Sequence, residues 1–167
     1  NPTRLKQLTS KAFDLLDGQN DKGFFVMIEG SQIDWCGHAN DIACAMAEMD
    51  DFAKSIETAK AYVDNNPDTI LVITADHSTG GLTIGAHGQY KWETDIIKGV
   101  KATAGTLTKL LMESDNLKTV WQANTSIEFT AENEIKLKQA KAMGEKTLNL
   151  AVKSIINDLS FTGWTTG

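Results

Sequence analysis

Five side chains in this sequence have the donor atoms and the spacing to hold divalent cations: Glu29, Asp34 and His38 in one segment, Asp76 and His77 in another. The first group follows a near-continuous apolar run, Gly23-Phe24-Phe25-Val26-Met27-Ile28. The second follows Thr69-Ile70-Leu71-Val72-Ile73-Thr74. Runs of this kind read as strands covered on both faces. In open α/β sheets ligands bind outside the carboxyl ends of such strands. Carboxylates mixed with imidazoles suit zinc, whereas an all-oxygen neighbourhood suits magnesium. Asp34 and His38 lie four residues apart, one turn if the segment is helical, so both can reach a single ion. Asp76 and His77 are adjacent where the chain leaves its strand. Three carboxylates packed together repel one another unless a cation balances them.

Taken singly, each of these residues has an ordinary explanation. A strand-end aspartate is commonly a turn former or a helix cap, and that reading suits Asp34 alone. Glu29 alone is a solvated strand end. The coincidence of donors at two matching topological positions is what points to metal. His87, flanked by Gly85, Ala86 and Gly88, has no acidic neighbour in the sequence and is read as structural. Ser31 follows a glycine, but no histidine stands in triad order around it. The sequence has neither a glycine loop with lysine for phosphate nor a G-x-S-x-G elbow. Asn124-Thr125-Ser126 fits the short glycosylation acceptor pattern.

The elements that must position these donors alternate helix and strand. Leu5, Leu8, Ala12, Leu15 and Leu16 recur at helical spacing, and Gly18 follows as a stop. Ile42, Met46, Met49, Ala53, Ile56 and Val63 form one stripe of a long amphipathic helix, capped by Asn40 or Asp41. With the two apolar runs on either side, this makes a βαβ unit, and a parallel pair with a right-handed crossover is expected. A short strand at 82–84 with a hairpin partner at 89–92 comes next. A helix over 96–113 follows, and then one final helix from a Thr130 cap to about Leu159. Cys36 and Cys44, eight residues apart, would be separated by about 12 Å on one helix, so the expectation is two free thiols rather than a bridge.

With 167 residues, 41% hydrophobic and 23% charged, the chain is long enough for a sizeable core. A net charge of −6 excludes a binder of nucleic-acid backbone, which needs a basic stripe. No run approaches the roughly 20 apolar residues of a membrane span. The partners left are metals, small molecules and other proteins. The opening Asn1-Pro2-Thr3 lacks Met, and the tail Phe161-Thr162-Gly163-Trp164-Thr165-Thr166-Gly167 has no closing element. Residues 1–167 are therefore expected to be the C-terminal part of a larger catalytic domain, truncated at both ends.

The segment from Gly23 to Asp34 resembles the alkaline phosphatase family's strand that ends in a magnesium-binding Glu and, five residues later, a zinc-binding Asp. His38 matches a further zinc ligand, and Thr74-Ala75-Asp76-His77-Ser78-Thr79-Gly80-Gly81 resembles the pair on the second zinc. The likeness is clear over about residues 3–85 and vaguer beyond. It implies an α/β fold, a parallel-sheet αβα sandwich present in part. It also implies a role for each donor: Glu29 on magnesium, Asp34 and His38 on the first zinc, Asp76 and His77 on the second. Trp35, directly after the zinc-binding Asp, is similar to marine and cold-adapted bacterial forms and implies a wall of the phosphate pocket.

The resemblance further implies hydrolysis of phosphate monoesters, a periplasmic or secreted location and a possible homodimer. The family's serine nucleophile and phosphate-clamping arginine precede the segment matched here. The only arginine present is Arg4, in the opening helix. The isolated chain is therefore expected to be inactive. A phosphodiesterase, sulfatase or cofactor-independent phosphoglycerate mutase relative is one alternative. A non-catalytic metal-binding module, or an inert domain whose acids are caps, is another.

Overall fold

The computed structural model describes residues 3–166, and it is mostly helical. Helix α1 (Arg4–Leu16) packs on the long α3 (Ile42–Asn65), with the short α2 (Gln32–His38) between them in sequence. The N-terminus of α1 is held by α3: the buried Asp51 carboxylate accepts from Leu5 N (2.9 Å) and Lys6 N (3.4 Å). That placement satisfies two orphan donors and puts an anion at the positive end of the helix. At the other end Phe13 stacks on Tyr62 at 4.6 Å, and Phe24 closes a three-ring cluster with them.

The main core lies in the second half. It is built by α4 (Thr94–Lys98), α5 (Ala104–Glu113), α6 (Leu117–Asn124), α7 (Ala131–Ala142) and α8 (Glu145–Ser160), and Ile42 and Ala43 of α3 join it. Leu107, Leu111, Trp121, Leu137, Leu148 and Val152 are fully buried. Trp121 donates its indole N–H to the Ile127 carbonyl at 3.0 Å, so its polar atom is satisfied inside the core. Lys141 donates to the carbonyls of Leu111 (2.9 Å) and Ser114 (2.7 Å), a cation at the negative end of α5.

Helices α1 and α3 form as expected, with Asp41 as the α3 cap accepting from Cys44 N at 3.1 Å. The buried face of α3, however, runs through Ala45, Asp51, Ser55 and Ala59, and Leu8, Leu15 and Met49 of the expected stripes are exposed. Elsewhere the structure corrects the pattern. The helix expected over 96–113 is two, because Gly99 and Lys101 turn their backbone groups to Ser126 and Asn124, and Thr103 caps a fresh start. Helix α6, which the sequence reading lacked, begins on an Asn116 cap. The helix expected from Thr130 to Leu159 also divides, at Gly144, whose φ of 107° no helix admits.

Strand pairing differs most. The expected 82–84/89–92 hairpin does not form. Instead β1 (Thr83–Ile84) pairs antiparallel with β2 (Thr162–Gly163), bringing the tail back across the molecule. The apolar runs 24–29 and 70–75 are neither helix nor strand, and no ladder joins them. They flank a groove of about 480 Å³ floored by Phe52, Ile56, Ala59 and Val63 of α3. The parallel pairing expected of the βαβ unit is therefore absent, because each run faces the groove instead of the other.

Candidate metal-binding edge

The two runs nonetheless point the same way. Their starts lie at the Tyr62 end of α3, where Phe24 packs and where Thr69 follows the helix. Their ends meet at α2, where two glycines permit the approach. A Cβ on Gly37 would stand 3.0 Å from Thr79 Cβ, and one on Gly80 would stand 2.6 Å from the Gly37 carbonyl oxygen. Gly80 also holds φ +77°. No other residue fits these two positions without moving the loop.

That contact joins the predicted donors. The Thr79 hydroxyl donates to Asp34 Oδ1 at 2.6 Å and lies 3.2 Å from His77 Nδ1. His77 Nδ1 is also 3.2 Å from the Ser78 carbonyl, which can only accept, so this nitrogen carries a hydrogen. The Asp34 carboxylate and the His77 imidazole are thereby oriented by the Thr79 hydroxyl. Within each segment the donors also pair. Asp34 Oδ2 is 3.5 Å from His38 Nε2, and Asp76 Oδ2 is 3.3 Å from His77 Nε2.

These separations test whether a metal fits. Two ligands at about 2.0–2.1 Å from a tetrahedral zinc stand roughly 3.3–3.4 Å from each other. The Asp76–His77 separation likewise places a carboxylate oxygen and an imidazole nitrogen within reach of one cation. The chemistry and spacing suit zinc. The number of donors does not suffice, since among the described residues no three or more His, Cys, Asp or Glu side chains converge on one point. Glu29 is exposed at the end of its run and joins neither pair in a group of three donors. Trp35 is 68% exposed on α2. His87, expected to lack an acidic partner, has one in space: its Nε2 is 3.2 Å from Asp158 Oδ1.

Sequence reasoning missed Thr79, which no motif marks as more than a turn residue. It also missed the disulfide. Cys36 and Cys44 are bonded, with Cα atoms 5.5 Å apart. The free-thiol expectation assumed one continuous helix. The chain instead leaves α2 at Ala39 and takes a left-handed turn at Asn40 (φ 52°) before α3 begins, which folds one cysteine back over the other. The Asn40-Asp41 pair, a turn former followed by a cap, was the available signal. The tail closes the same edge: Thr165 and Thr166 donate to the Gly80 carbonyl, and Trp164 packs on Gly80.

The family model described as alkaline phosphatase matches residues 1–155, well past the segment where the likeness is plain by eye. Alkaline phosphatase 4 of Bacillus subtilis (strain 168) is 40% identical over 163 residues, covering 96% of this chain and 35% of the relative. Alkaline phosphatase 3 of the same organism is 40% identical over 167 residues, covering 98% and 36%. The crystal structure of a cold-active alkaline phosphatase from a psychrophilic Shewanella sp. superposes with a TM-score of 0.94. It is 44% identical and is matched over 99% of this chain and 42% of that one. The chain thus spans about a third of the length of the curated relatives named here, and its helices, apolar runs and small sheet are part of an alkaline phosphatase αβα fold. Two donor pairs at the ends of parallel runs, a matching family model and a superposition over nearly every residue lead to one conclusion: the chain belongs to the alkaline phosphatase family.

Proposed function

We propose that this chain supplies one edge of the metal centre of a phosphomonoester hydrolase, as the C-terminal part of a larger catalytic domain. The observation that carries the reading is the Asp34–Thr79–His77 hydrogen-bonded link, which holds two Asp/His pairs together at the ends of two apolar runs. Asp34 and His38 are the residues for the first zinc, and Asp76 and His77 those for the second. Glu29 is the residue for magnesium. Bound divalent cations supply charge neutralisation at phosphoryl oxygens and a lowered pKa at an attacking oxygen. The chain's own contribution is orientation. Thr79 fixes the orientation of the Asp34 carboxylate and the His77 imidazole, and Trp35 offers an exposed ring beside Asp34 as a pocket wall.

The same reading makes the isolated chain inactive, because it brings neither the family's serine nucleophile nor its arginine clamp. Phosphate monoesters are the substrate class of the complete enzyme, which we place in the periplasm or outside the cell. The Cys36–Cys44 bridge supports that location, since disulfides persist in oxidising compartments. Among the described residues no helix is long and apolar enough to cross a membrane. A homodimer is the assembly we expect of the complete enzyme.

Zinc titration by calorimetry tests the assignment, with the Asp76→Ala/His77→Ala double variant alongside. Saturable binding by the wild-type chain that the variant loses supports it. Equal binding by both would remove Asp76 and His77 from the ligand set, and phosphate ester hydrolysis by the purified chain would overturn the inactivity.

A further inference from the structure

We propose that the cavity between the turn at 39–40, α8 and the tail is a binding site for a small polyhydroxylated alcohol, of glycerol to hexose size. Its lining includes His38, Asn40, Leu150, Lys153, Asn157 and Trp164. The volume is about 220 Å³, room for about seven waters at about 30 Å³ each. Three of those residues each carry a buried polar atom with no hydrogen-bond partner among the described residues: Asn40 Oδ1, Asn157 Oδ1 and Trp164 Nε1. Buried polar atoms in folded proteins are nearly all paired. Three unpaired ones around a single cavity mark it as a place for a ligand.

The bonds these residues already make fix what the cavity can accept. The Asn40 amide nitrogen donates to the Thr166 carbonyl, and that of Asn157 donates to the Asn40 carbonyl at 3.4 Å. A carbonyl can only accept, so neither amide can turn over and both Oδ1 atoms stay acceptors. Trp164 Nε1 can only donate. Lys153 donates to the Ala39 carbonyl at 2.7 Å, and an ammonium carries three N–H groups. The two amide oxygens disfavour an anion, and the ammonium disfavours a cation. A hydroxyl donates and accepts at once, so neighbouring hydroxyls on a neutral carbon chain answer the acceptors and the donors together. The exposed Leu150 offers apolar surface for the C–H face of that chain. Such a ligand bridges three separate segments: the turn after α2, α8 and the tail. His38 borders the cavity, but none of the three unpaired atoms belongs to a proposed metal ligand, so the inference does not rest on the metal reading.

Proton–nitrogen NMR of the chain in EDTA, titrated separately with glycerol and with glucose, tests this independently of any metal or activity. The chain has four tryptophans, whose indole N–H signals report separately. Trp92 Nε1 donates to Thr162 Oγ1 and Trp121 Nε1 to the Ile127 carbonyl, so these two serve as internal controls. The Trp164 signal should move saturably with at least one of the two probes, in the millimolar range, while both controls stay still. Asn157→Ala, which removes one acceptor, should weaken that binding at least about tenfold. Movement that stays linear, or that all four signals share, reports bulk solvent and would overturn the inference. Equal binding by wild type and Asn157→Ala would do the same. Saturation by inorganic phosphate but by neither polyol would assign the cavity to an anion and equally overturn it. If Asn157→Ala displaces the Trp121 signal, and so disturbs the core, the wild-type titration decides alone.

Discussion

The Asp41 carboxylate caps two helices at once, and replacing it should reveal which of two opposed effects governs a buried acid. Oδ1 accepts from Cys44 N at 3.1 Å in the first turn of α3, and Oδ2 accepts from Ala104 N at 2.6 Å at the start of α5. The residue is 5% exposed. Asp41→Ala leaves the buried Ala104 N–H without an acceptor, at a cost of about 1–3 kcal/mol, and removes an N-cap worth about 1 kcal/mol. Relief from burying a carboxylate offsets part of this. A net loss of about 2–3 kcal/mol is expected, or roughly 5–10 °C in Tm for a domain of this size. Urea unfolding at neutral pH measures it, and a loss below about 0.5 kcal/mol would refute the double-cap reading.

Burial pushes the Asp41 pKa up, against the pull of the Ala104 and Cys44 amides and of Lys153. The folded chain then keeps this proton at pH values where the unfolded chain has lost it. Because the folded state binds more protons in that window, stability falls as pH rises from the ordinary aspartate range through the folded value. Asp41→Asn cannot titrate, and the other carboxylates cancel in the comparison. The stability of wild type relative to Asp41→Asn should therefore decline as pH rises above the ordinary aspartate range. A relative stability that rises instead would show that the hydrogen bonds outweigh burial.

Two further outcomes follow from the site. Thr79→Val removes the hydroxyl that orients Asp34 and His77, and should weaken zinc binding about 10- to 100-fold, whereas Thr79→Ser should stay within about threefold. Calorimetry on both variants checks this, and equal weakening would mean that the methyl packing against Gly37 matters as much as the hydroxyl. The Cys36–Cys44 bridge closes a short loop, with a sequence separation of 8, so the Cys36→Ser/Cys44→Ser variant should lose about 2–3 kcal/mol. Dithiothreitol should produce the same loss in wild type and none in the variant; a wild type indifferent to reductant would refute it.

What the sequence determined by itself was local or periodic. Helices α1 and α3 and the Asp41 and Thr130 caps were legible, because helical periodicity and capping oxygens act within a few residues. The donor residues were legible for the same reason, since side-chain type and spacing are local facts. Tertiary structure decided everything that depends on where the chain turns. The left-handed Asn40 brings Cys36 to Cys44. The division of the last helix needs Gly144 at positive φ, although the apolar stripe runs on past it. The partner of Thr83–Ile84 is Thr162–Gly163, with Thr83 opposite Gly163 and Ile84 opposite Thr162. The link from Asp34 through Thr79 to His77 exists only because Gly37 and Gly80 let two loops touch. Periodicity names the faces an element will bury. It is silent about which distant backbone atoms those faces will meet, and metal geometry and strand pairing are set by those meetings.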